Sequence, residues 1–339
     1  MSERLAPYDI VRSFAILAVF IGHILAGQLN NAGLLLAVAT LSPGLTMSLL
    51  GFISAVLVSP QLRDPGVFLL RRLIRIYVSM LVCLFFVLML HWFLGKKILT
   101  QHTLLHLMGL SAFFELLGVP NKSTIGAGLW FITVIITMYL FLPSLVVLFR
   151  HKNGLAHCFV VIITCTLLDL VMYGTESAWN VVISFCLGVF LSVNGYINRI
   201  VESKRLIQPA IFSLVLLAVC AFATAQIIPH ATRSLLFAFY PLAFVPLFFS
   251  LSAFLPPPLI VFASLFSSLS YEFYILHFYF INEHFYELFP ASWGLLYHIA
   301  LSFVIILSLS YVLSRAAQRI CSVANKYFGT NERRSVALP

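Results

Sequence analysis

Charge is what this chain has least of. Only 9% of its 339 residues are Asp, Glu, Lys or Arg, and 11 of them are acidic. A soluble globular domain carries roughly 25% charged residues, so that class is excluded. No polar stretch is long enough to fold by itself, the longest segment between apolar runs being residues 96–126. The six cysteines (Cys83, Cys158, Cys165, Cys186, Cys220 and Cys321) are scattered, with no CxxC pair. That spacing gives no reason to expect a metal or a disulfide framework. An internal repeat is also lacking, which weighs against transporter folds built from duplicated halves. The apolar stretch within residues 1–30 is too long for a cleaved signal, and more follow it, so the first segment is expected to be a retained helix.

What is present is hydrophobic length. The chain is 61% hydrophobic with a mean hydropathy of +1.04. Runs of about 20 apolar residues, enough for a helix to cross the hydrocarbon core, fall at 9–29, 34–58, 74–95, 127–149, 155–173, 177–196, 207–225, 233–254, 259–283 and 293–314. The expectation is an all-α polytopic membrane protein with about ten transmembrane helices, kinked at Pro43, Pro143, Pro241 and Pro246. A transmembrane unit would occupy 1–320 and a short cytoplasmic tail 321–339. Arg and Lys cluster in alternate loops, at Arg63 and Arg71 to Arg75, at Arg150 and Lys152, at Arg199 to Arg205, and after Arg315. The positive-inside bias then puts both termini in the cytoplasm. It also accounts for the net charge of +9, so no nucleic-acid partner is expected and the lipid bilayer is the surrounding partner.

Against this background two ionisable residues stand out in the first run, Arg12 and His23, with ten residues between them. An ionisable group at a bilayer centre costs roughly 3 kcal/mol on insertion scales and marks a functional site by default. Eleven helical steps return a side chain to within roughly 20° of its starting direction, about 16 Å further along the axis. The two therefore share one face at two depths. Arginine offers a charged fork suited to phosphate, and histidine exchanges a proton near neutral pH. Taken singly, Arg12 also reads as a snorkelling anchor and His23 as a hydrogen-bonded core histidine.

Two further constellations accompany them. Arg71, Arg72 and Arg75 open the third run; on a helix Arg71 and Arg75 lie one turn apart and Arg72 is within reach of Arg75. Three guanidiniums there could form a polyphosphate site or anchor lipid headgroups. In the ninth run, Ser270-Tyr271-Glu272-Phe273-Tyr274-Ile275-Leu276-His277 sets hydroxyls, a carboxylate and an imidazole on neighbouring faces. Glu272 at that depth calls for a partner on a neighbouring helix. The segment Ile98 to Leu117, with His102, His106 and Glu115, reads as an outer-surface or re-entrant helix. Asp169, His91 and His298 read as packing or interfacial residues.

These residues resemble the acyltransferase-3 family of integral membrane O-acyltransferases, whose opening mark is Arg, ten residues, His, preceded by an acidic residue, here Asp9. Arg71-Arg72-Leu73-Ile74-Arg75 is similar to its arginine motif, Leu129-Trp130-Phe131 through Tyr139 and Pro143 to its Trp-Phe helix, and Ser270 to His277 to its Ser-Tyr-x-x-Tyr-Leu-x-His stretch. One departure is Ala55 in Gly51-Phe52-Ile53-Ser54-Ala55-Val56, where glycine is common. The soluble C-terminal esterase-like domain of some relatives is not present in the sequence.

The resemblance implies an O-acyltransferase, chiefly an O-acetyltransferase, with acetyl-CoA or another acyl-CoA as co-substrate and no bound cofactor or metal. The acceptor would be a hydroxyl of an envelope polysaccharide, such as O-antigen or exopolysaccharide, or of a lipid-linked glycan at a bacterial inner membrane. In this scheme His23 and Arg12 are catalytic, Arg71, Arg72 and Arg75 hold the acyl donor, and Asp9, Trp130, Tyr271, Glu272, Tyr274 and His277 support them. His23 would serve as general base or carry the acyl group covalently. A transporter or flippase of a polar solute or glycan intermediate is the alternative, with the same arginines and histidines lining a path.

Overall fold

The computed structural model describes residues 6–26, 43–58, 65–95, 100, 102–117, 119, 123, 125–126, 128–172, 176–201, 207–222, 230–282 and 294–327. These residues form helices α1 (Ala6–Ala26), α2 (Pro43–Val58), α3 (Pro65–Phe93), α4 (Thr103–Leu107), α5 (Ser111–Leu116), α6 (Trp130–Arg150), α7 (Gly154–Val171), α8 (Glu176–Val193), α9 (Tyr196–Val201), α10 (Ile207–Phe222), α11 (His230–Ser252), α12 (Pro257–Asn282) and α13 (Leu295–Tyr327), and no strand. Each expected apolar run overlaps one of them. Seven, namely α1, α3, α6, α7, α11, α12 and α13, are long and apolar enough to cross a membrane. The shorter apolar helices α2 and α8 accompany them, and α10 has 16 residues.

Several boundaries differ from expectation for local reasons. Pro43 is the first residue of α2 and makes no kink, because a missing N–H costs nothing at a helix start. The part of that run before Pro43 lies outside the described residues. Helix α3 begins at Pro65, nine residues early, so its arginines belong to the helix. Helix α13 continues to Tyr327 and runs through the division expected after residue 320. The single helix expected over Ile98 to Leu117 is two short ones, α4 and α5, broken at Gly109, whose φ of +74° a helix cannot use.

Between helices in lipid there is no hydrophobic drive, so close packing and polar contacts must join them. The seam of α2 and α8 uses small residues. A Cβ on Gly188 would sit 2.7 Å from the Phe52 carbonyl oxygen and 2.9 Å from the Ala55 Cβ, and one on Gly51 would sit 2.9 Å from Val181 Cγ1. The alanine that departs from the family pattern thus packs on a glycine. Ser192 Oγ donates to the Val56 carbonyl at 3.2 Å, closing the same seam.

Helix α1 lies against α2, α11 and α12, with Val11, Ala15 and Val19 fully buried. Its seam with α12 is polar and aromatic. Asp9 meets Ser264, Arg12 meets Ser267, Phe20 meets Phe273 and His23 meets His277. The sequence separation stays nearly constant along these pairs, so the two helices run parallel. Helix α3 runs the same way beside α12, with Ile76 against Tyr271, Ser79 against Glu272 and His91 against Tyr279. The segment holding α4 and α5 is tied to α3 by Tyr77 Oη donating to the Met108 carbonyl at 2.9 Å. It is tied to α6 by Thr133 Oγ1 donating to the Gly109 carbonyl at 2.7 Å.

Candidate active site

At one end of the α1–α12 seam the half-buried carboxylate of Asp9 accepts from Ser264 Oγ at 2.7 Å and from Ser267 Oγ at 2.8 Å. Arg12 Nη1 donates to the same Ser267 hydroxyl at 3.3 Å. Ser267 therefore stands between the acid and the cation and holds both. Beside it opens a cavity of about 140 Å³. Arg12 and Ile16 of α1, Leu50 and Ser54 of α2, Arg72, Arg75, Ile76 and Ser79 of α3, and Phe131, Ile135 and Tyr139 of α6 line it. Helix α12 completes the wall with Ser267, Ser268, Ser270, Tyr271, Glu272 and Tyr274.

Among the described residues no carboxylate pairs ionically with Arg12, Arg72 or Arg75. Glu272 accepts from Ser79 Oγ at 2.8 Å, bonds Ser314 of α13, and stays within electrostatic reach of Arg75. Its expected neighbouring-helix partners are thus two hydroxyls. Three guanidiniums around one cavity, with Asp9 acting on Arg12 and Glu272 on Arg75 only at longer range, suit the cavity to an anion such as a phosphate group. Arg71 is not among the lining residues. The pair three apart, Arg72 and Arg75, faces the cavity, with Arg72 also placed over the Phe68 ring at 5.5 Å.

Tyrosines fix the α12 wall. Tyr271 Oη donates to the Ile76 carbonyl at 3.2 Å, and Tyr274 Oη donates to the Gly128 carbonyl. Trp130 does not line the cavity but meets Phe131 edge-on at 6.0 Å, and Phe131, which does, meets Tyr274 at 5.5 Å.

Beyond this aromatic end wall lie the histidines. His23 and His277 face each other with ring centroids 5.3 Å apart, and His23 meets Phe278 edge-on at 5.6 Å. Neither lines the cavity; seven residues, roughly 10 Å of helix, separate Ile16 from His23. His277 Nδ1 lies 2.6 Å from the Tyr274 carbonyl oxygen, so Tyr274 touches both the cavity and the imidazole pair.

A turn seals the helix there. Gly126 and Gly128 have φ of +110° and +77°. A Cβ on Gly126 would fall 2.2 Å from the His106 ring, and one on Gly128 would fall 3.1 Å from Phe278. Gly126 N–H donates to Tyr279 Oη at 3.1 Å, and His106 is held by Ser111 at 2.9 Å. His106 is thus a buried strut beside the site. The side chain of Glu115 lies outside the described residues.

Sequence reading passed over Ser264, Ser267, Ser79, Gly126 and Gly128. The signal for the first two was a serine-rich patch, Ser264 to Ser270, in an otherwise apolar run.

Apolar helices around a cavity lined by guanidiniums, with two imidazoles further along the same helices, define a multi-pass membrane protein. The family model described as an acyltransferase domain matches residues 6–315. The chain belongs to that family, acyltransferase-3, and is a membrane acyltransferase. No curated protein and no solved structure matches it.

Proposed function

We propose that the protein is an O-acetyltransferase that moves an acetyl group from cytoplasmic acetyl-CoA to a hydroxyl of an envelope glycan, an O-antigen, exopolysaccharide or lipid-linked oligosaccharide, at a bacterial inner membrane. The observation that carries the reading is the convergence of three guanidiniums, Arg12, Arg72 and Arg75, on one cavity, with Arg12 on the helix that also bears His23. Ten crossings with both termini cytoplasmic would put these arginines on the cytoplasmic side, where the Lys and Arg loops fall.

The phosphates of the acyl donor engage the arginines and the serine wall, and its narrow arm extends past Phe131 and Tyr274 toward His23. The glycan hydroxyl approaches from the opposite side. His23 takes the hydroxyl proton as the oxygen attacks the thioester carbonyl; the C–S bond breaks and the proton passes from His23 to the leaving thiolate. General-base assistance of this kind contributes roughly 10²–10⁴-fold. Asp9 and Ser267 hold Arg12 in the cavity, and Tyr271 and Glu272 fix α12 against α3.

Base-labile acetate is measured on the envelope polysaccharide of cells carrying wild type, His23→Ala or no protein, at matched membrane levels. Acetate with wild type alone is expected. Its absence from all three, with acceptor present, would overturn acetyl transfer; an acetate-free cell that instead exports a polar solute would favour a transporter.

A further inference from the structure

We infer that His277 is a positioning residue that fixes the tautomer and direction of His23, an inference that rests on His23 being the base. A carbonyl oxygen only accepts, so the 2.6 Å approach to the Tyr274 carbonyl assigns the proton of His277 to Nδ1. In the neutral ring Nε2 is then an acceptor. That Nε2 is buried with no hydrogen-bond partner among the described residues, in a residue only 1% exposed. A buried acceptor left unpaired is costly enough that it calls for an explanation.

Among the described residues in ring contact with His277, His23 is the polar side chain able to supply the missing proton. The Phe273 ring lies nearly parallel to the His277 ring at 6.5 Å and has no proton to give, and its backbone carbonyl only accepts. The Tyr274 hydroxyl is committed to the Gly128 carbonyl. The His23 ring stands 5.3 Å away and tilted by 40°. Ring nitrogens turned toward each other across that separation come within hydrogen-bond reach, so the relay has a His23 N–H donate to Nε2. The chain then reads Tyr274 carbonyl, His277 N–H, His277 Nε2, His23 N–H, and it leaves the other nitrogen of His23 unprotonated toward the substrates.

Such an arrangement does for His23 what the orienting partner of a catalytic histidine does elsewhere: it selects one tautomer and stabilises the imidazolium when it forms. Here a peptide carbonyl anchors the relay, so no ionised carboxylate has to be buried beside the base. As His23 accepts the proton from the glycan hydroxyl, its bond to Nε2 becomes charge-assisted and tightens. The bond relaxes again when that proton leaves with the thiolate.

Two near-isosteric substitutions separate this role from simple helix support. Asn at 277 keeps an N–H near the position of Nδ1 and loses the acceptor; Gln places a carbonyl oxygen near Nε2 and loses the anchor. Acetyl transfer from labelled acetyl-CoA to envelope polysaccharide is followed in membrane vesicles carrying wild type, His277→Asn, His277→Gln or His23→Ala at matched levels. His277→Asn is expected to lose roughly 10²-fold in kcat, with His277→Gln clearly more active and the acetyl-CoA KM little changed in both. Asn as active as wild type, Gln no better than Asn, or a change confined to KM would overturn the inference. Full activity of His23→Ala, or none in wild type, would instead overturn the assignment of the base or of the reaction. Should His277→Asn fail to accumulate, ¹⁵N spectra of histidine-labelled wild type decide: one His23 tautomer is expected, and an exchanging mixture overturns the relay.

Discussion

Two parallel helix pairs organise this bundle, and they are joined by opposite chemistry. The α2–α8 seam is a close backbone approach over Gly51 and Gly188. The α1–α12 seam is a row of specific meetings: carboxylate with hydroxyls, guanidinium with hydroxyl, phenyl with phenyl, imidazole with imidazole. Polar contacts between membrane helices average only about 0.6 kcal/mol in measured cycles, so they contribute less to stability than to placement. The lesson is a division of labour, with the glycine seam holding the bundle and the polar seam placing the site.

The largest effect expected from breaking this contrast is on the polar seam. His23→Ala should reduce acetyl transfer by at least roughly 10²-fold while membrane abundance and melting in detergent stay at wild-type values. The mirror-image change is Gly188→Ala. Its new Cβ would press on the Phe52 carbonyl and Ala55, and overpacking of this kind costs about 1–3 kcal/mol. Melting should drop while turnover per folded molecule is kept; a large loss of turnover at unchanged melting would erase the contrast.

Within the polar seam, Arg75→Ala should raise the KM for acetyl-CoA about tenfold, the equivalent of one charge-assisted hydrogen bond, with little change in kcat. Ser267→Ala should raise it by about threefold, since Arg12 keeps its charge and loses only its tether. Arg71→Ala, outside the cavity lining, should move it least. A reversed order for Arg71 and Arg75 would mean that the phosphates bind on a different face of α3.

Most of the architecture was legible in the sequence because hydropathy alone marks apolar helices, and the turn of a helix places Arg12 and His23 on one face. What could not be read was which helix would face them. The pairing of α1 with α12 spans some 250 residues, and nothing local in Ser264 or Ser267 announces a partner that distant. The arginine motif was visible, yet the choice between Arg71 and Arg72 depended on how α3 is rotated against its neighbours, which only packing decides. Pro43 was misread because proline starts helices as readily as it kinks them, and the apolar run from residue 34 continues through it with no break to tell the two apart. Gly126 and Gly128 carry no periodic signal, since their importance lies in backbone angles and in the lack of a side chain.

The near-constant register of α1 against α12 has a consequence for how the protein can change. Together the helices act as a ruler, with Arg12 to His23 and Ser267 to His277 marking off almost the same length, about 16 Å. A single residue inserted between the marks on one helix would advance that scale by about 1.5 Å and turn it by about 100°, while the other scale stayed still. Side chains along this seam can therefore be exchanged one at a time, but its length can change only if both helices are lengthened together.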